Sequence, residues 1–151
     1  RSSDLASRAS LTRAAALTRA VTGKLIVLNA MGAPAGIGDP SFPVYLGQQA
    51  LESLRAQRRD ALKKILDAMG IADLVEEVVV NQSTPAMEIE EVAERYEVDL
   101  ICMGSHGRRG IKRFLLGNTA EKVLRSATCP VLVLREEADA PLFEDLSDEE
   151  E

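Results

Sequence analysis

The sequence predicts an α/β fold, an open sheet of parallel strands with helices on both faces. Two observations carry this. Short apolar runs alternate with longer segments of helical period along the 151 residues, and that alternation marks strand–helix–strand units joined by right-handed crossovers. The core must also be aliphatic. There is no Trp, and aromatics are 3% of the chain against 46% hydrophobic residues. Parallel sheets covered on both faces are built from Val, Ile and Leu. The length is that of one domain.

Each element has its own local reason. Asp4 to Val21 places Leu5, Ala9, Ala16, Leu17 and Ala20 in a helical stripe with Arg8, Arg13 and Arg19 outside it, and Gly23 ends it. Lys24 to Ala30, KLIVLNA, is a buried strand. Gly32 to Pro43 is a long loop by its Gly and Pro content. Val44 to Met69 is a long helix with Leu51, Leu54, Leu62, Ile65, Leu66 and Met69 on its apolar face, stopped by Gly70. Val75 to Asn81 is the next strand. Thr84 is an N-cap and Pro85 the first residue of a helix reaching Tyr96, with Ile89, Val92 and Ala93 inward and Glu90, Glu91, Glu94 and Glu97 outward. Asp99 to Met103 is a third strand, Asn118 to Ser126 a fourth helix and Pro130 to Leu134 the last strand.

Charge is unevenly spread. The net charge is −6, yet residues 136–151 hold nine acids and no base, which leaves a body of 15 acids against 18 bases, net +3. The body is residues 1–135, and the acidic stretch reads as a disordered, solubilising tail. A body so slightly basic, followed by an acidic stretch, argues against nucleic-acid binding. No apolar run reaches the ~18 residues a membrane span needs. Cys102 and Cys129 read as buried free thiols in a reducing cytoplasm.

The densest chemistry lies in GSHGRRGIKRFLLGNTAEKVL, Gly104 to Leu124. It follows a strand, and in open parallel sheets ligands bind beyond the carboxyl ends of strands. Gly104 and Gly107 permit a close approach to the main chain. Asn118 to Glu121 reads as a capping box with Asn118 as N-cap and Glu121 reaching back. The helix start offers unpaired amides and a positive dipole end, an anion site, with Arg108, Arg109, Lys112 and Arg113 beside it. The sole histidine, His106, has no nucleophile or carboxylate near it in sequence, so no catalytic residue is assigned.

The order Gly104-x-x-Gly107, nine residues, then Gly117 and a small polar residue resembles the nucleotide motif of the universal stress protein family. The resemblance runs from Ser2 to Arg135 and is strongest over Asp99 to Leu134. It implies a Rossmann-like sheet, a homodimer through Val131 to Leu134, and ATP with Mg²⁺ as ligand. It places Gly104, Gly107, Gly117, Asn118 and Thr119 around ribose and phosphates, His106 and Arg108 in the same loop, and Ala30 near the adenine. Asn118 stands where the family usually has Ser or Thr. The LGNTAE wording before an acidic tail is similar to tandem, E-type members, which implies the alternative of an interaction and dimerisation protein with an empty pocket, and a chain that is the C-terminal half of a longer protein. Without a GK[ST] lysine or an acidic Mg²⁺ pattern, at most slow ATP hydrolysis is expected.

The family also has a first strand, ending in Asp, in mid-sheet between the strands read here as KLIVLNA and DLICM. An empty central slot would leave two rows of backbone groups unpaired. The slot is therefore expected to be filled by a segment preceding this sequence, by another chain, or by local rearrangement, the first being preferred.

Overall fold

The structure, a computed structural model, describes residues 2–31, 47–105 and 116–134, with side chains from residue 8 onward. The expectations for the loop Gly32–Pro43, for His106, Gly107, Arg108 and the other loop cations, and for the acidic tail lie outside the described residues. The elements are α1 (Ser2–Ala20), β1 (Leu25–Ala30), α2 (Gln48–Ala68), a 3₁₀ turn (Ala72–Leu74), β2 (Val75–Asn81), α3 (Pro85–Arg95), β3 (Ile101–Gly104), α4 (Asn118–Ser126) and β4 (Val131–Leu134). The alternation read from the sequence is there, with the 3₁₀ turn added.

The strands form two parallel ladders, β1 with β2 and β3 with β4. Val27 stands opposite Val78 and Ala30 opposite Asn81. Ile101 stands opposite Val131 and Gly104 opposite Leu134. No hydrogen-bonded strand joins the two ladders among the described residues. The central slot implied by the family resemblance is thus not filled by local rearrangement of these residues.

Each ladder has its own core. Val27, Val78 and Val80 pack with Ala15 of α1, Leu66 of α2, and Ile71 and Leu74. Ile101 packs with Ala86 and Ala93 of α3 and Val123 of α4. Val79, on the other face of β2 from Val78 and Val80, is also buried, so β2 is covered on both sides. Helix α1 also touches β3, and α3 touches β1. Those two helices bridge the ladders.

Three expectations about burial are corrected. In α1 the buried residues are Ala15 and Thr18, with Leu11 packed against the same core, and Ala20 is exposed. The inward stripe is therefore rotated from the expected one, because small residues along this helix make its apolar side ambiguous. In α2, Leu66 is buried but Leu54 is 36% exposed. The helix spans 21 residues against a six-residue β1, so at 1.5 Å against 3.3 Å per residue its first turns overrun the strands. Cys102 and Cys129 are free thiols, but half-buried rather than buried.

Three helices end alike. Thr22, Gly70 and Glu97 have positive φ (54°, 66° and 48°). In each case the next amide reaches back to a carbonyl five residues earlier: Gly23 to Thr18 at 2.9 Å, Ile71 to Leu66 at 3.1 Å and Val98 to Ala93 at 3.0 Å. This left-handed turn satisfies carbonyls that the helix end would otherwise leave open. At the end of α1 the left-handed residue is Thr22, not the expected Gly23.

Candidate functional site

The site begins at the carboxyl end of β3. Gly104 is the last residue of that strand, not the first of the loop. Ser105 follows and is buried. Its amide donates to the carbonyl of Leu134 at 2.8 Å, which extends the ladder to β4. Its carbonyl accepts the Gly117 amide, also at 2.8 Å. The two ends of the glycine-bearing segment are therefore tied together, and Gly104, Gly117, Asn118 and Thr119 meet at one place.

Gly117 is the N-cap of α4, with φ −62° and ψ 151°. This corrects the expected capping box. Asn118 lies inside the helix, no side chain among the described residues caps it, and Glu121 pairs with Arg125 at 2.9 Å instead of reaching back. A glycine has no side chain to occupy the first-turn amides. The first intrahelical bond at this end is Glu121 N–H to the Gly117 carbonyl, 2.9 Å. The amides of Asn118, Thr119 and Ala120 thus precede the first intrahelical donor, at the positive end of the dipole. Asn118 is exposed and Thr119 partly exposed. Such an arrangement can hold an anion.

Ala30 closes β1 in the other ladder, opposite Asn81. The Asn81 carbonyl accepts the Met31 amide at 2.8 Å. Its side-chain amide donates to the Glu88 carboxylate in the first turn of α3. Glu88 is only 3% exposed. Sequence reading missed this pair, although Glu88 precedes Val92 by four residues and so shares its inward face. Beside Ala30, Asn29 Oδ1 is buried without a hydrogen-bond partner among the described residues.

Over residues 3–135 the sequence matches the profile of the Universal stress protein family. The chain belongs to the universal stress protein family. A universal stress protein of Methanocaldococcus jannaschii is 39% identical over 84 residues, which are 56% of this chain and 49% of the relative. Universal stress protein E of Escherichia coli is 31% identical over 101 residues, 66% of this chain and 31% of the relative. The chain spans about half the length of the first of these relatives. Among solved structures, the universal stress protein UspA from Lactobacillus plantarum shares the fold with a TM-score of 0.66 at 24% identity, over 86% of this chain and 90% of the other. A universal stress protein described as in complex with cAMP aligns with a TM-score of 0.51 at 24% identity, over 89% and 90% of the two chains. The Rossmann-like α/β architecture with parallel strands is that of these universal stress proteins.

Proposed function

We propose that this universal stress protein is a nucleotide-binding regulatory module with ATP as its ligand. The observation that carries the reading is the closed base of the glycine segment. The Ser105–Gly117 bond presents an α4 start whose amides no side chain among the described residues has taken. Phosphates would lie on Asn118 and Thr119, with Gly104 at the strand end. Ala30 would flank the base, and His106, Gly107 and Arg108 belong to the same segment by sequence. The cAMP complex of a structural neighbour supports a nucleotide as the ligand class. Binding rather than turnover is the output, so occupancy would alter the shape or partners of a homodimer formed through β4.

Titration calorimetry with Mg·ATP tests this on the wild type and on Gly117→Asp. The Gly117 angles suit any residue, so an Asp there should cap α4 and leave stability equal or higher by a few tenths of a kcal/mol. Its carboxylate would take the amides and repel phosphate. Saturable wild-type binding lost in this variant is the expected result. A wild type silent at millimolar Mg·ATP would refute the reading.

A further inference from the structure

We propose that Glu88 is a positioning residue for the base side of the nucleotide site, an assignment that rests on the nucleotide reading above. A carboxylate buried to 3% exposure is costly unless its surroundings compensate it. Here the compensation is local. Glu88 sits in the first turn of α3, where the helix dipole favours negative charge, and it accepts the Asn81 side-chain amide. An apolar residue beside Ala86, Val92 and Ala93 would bury more cheaply. Departures of this kind from core rules are expected where position matters to function.

What the pair holds is the end of β1. Asn81 is fixed by its ladder position opposite Ala30, by the Met31 amide on its carbonyl and by Glu88 on its side chain. The Ala30–Met31 backbone, against which the base would lie, is thereby anchored through Asn81 to α3. Ladders fray at their last residues. Glu88 stops the fraying at the one strand end that flanks the base, without touching the ligand. The phosphates would lie on the amides at the start of α4, which take no part in the Asn81–Glu88 bond.

The test is a set of titrations of wild type, Glu88→Ala, Glu88→Gln and Asn81→Ala with Mg·ATP and with Mg·tripolyphosphate, plus amide exchange at Met31. Glu88→Ala should weaken ATP about fivefold, the weight of one net hydrogen bond, and leave tripolyphosphate unchanged. The Met31 amide should exchange faster while that of Ala127, at the far end of α4, does not. Glu88→Gln keeps the acceptor and should restore both readouts, and Asn81→Ala should reproduce the Glu88→Ala pattern if the latter folds poorly. ATP affinity unchanged in both alanine variants would overturn the assignment. So would parallel losses of ATP and tripolyphosphate, which would make Glu88 a stabiliser of the fold alone. A wild type that binds no ATP would instead sink the nucleotide reading itself, and this assignment with it.

Discussion

At the scale of single residues, the informative positions are those where a side chain is missing or out of place. Gly117 matters because it caps α4 with nothing. Its spacing from Gly104 was legible in the sequence. Its role as cap was not, since Asn118 is the better capping residue by type. The choice was made by the Ser105 carbonyl, a backbone partner that sequence patterns do not display. Glu88 escaped for a related reason, because an acid among many acids on one helix looks like a solvated face. Cys102 offers a direct check on the β3 environment. Burial pushes its thiol pKa above the usual value. The unfolded thiol thus ionises first, and stability should fall as pH rises through the interval between the two pKa values. Iodoacetamide alkylation of native Cys102 should show a pH profile displaced upward from that of the urea-unfolded chain. Coincident profiles would contradict the burial.

At the scale of elements, type and order were legible almost throughout, because the apolar runs and the Gly and Pro punctuation are strong. β2 was read with its observed bounds. β3 was read too early, since Asp99 and Leu100 are exposed and precede the ladder. Helix faces were harder. In α1 the stripe is made of Ala and Thr, whose weak polarity contrast leaves the rotation to tertiary packing. The left-handed helix ends yield a stability prediction. Thr22 and Glu97 adopt φ values that cost a side-chain-bearing residue energy, whereas Gly70 adopts its own freely. Glu97→Gly should stabilise the protein by about 0.5–1 kcal/mol. Gly70→Ala, whose added Cβ would meet open space, should destabilise it by about 1 kcal/mol through backbone strain alone. Urea denaturation with an unchanged m value measures both. A destabilised Glu97→Gly would show that contacts, not backbone angles, govern that end.

At the scale of the whole molecule, the edge of β4 that no strand among the described residues pairs with bears on assembly. The Pro130 and Leu134 carbonyls accept amides of the β3 side, from Ile101 and Ser105. By the alternation of a parallel ladder, the Val133 amide points to the free edge. Leu132 is 36% exposed beside it, and an uncovered apolar edge invites pairing. Sedimentation should therefore find a dimer, and Val133→Pro, which removes an edge donor but no β3 bond, should find a monomer. A monomeric wild type, or a variant that stays dimeric, would rule out pairing through this strand. The division into two ladders was anticipated only through family resemblance, because local pattern describes strands one by one and not which edges remain open.

The tie between Ser105 and Gly117 has a consequence for how such proteins diversify. Eleven residues lie between these two positions, and both their ends are already brought together by strand and helix. Lengthening a segment closed in this way costs little, about 0.6 kcal/mol per doubling of its length. Natural variants or engineered grafts could therefore exchange the intervening stretch, and with it the preferred ligand, while the amides at the start of α4 stay where they are.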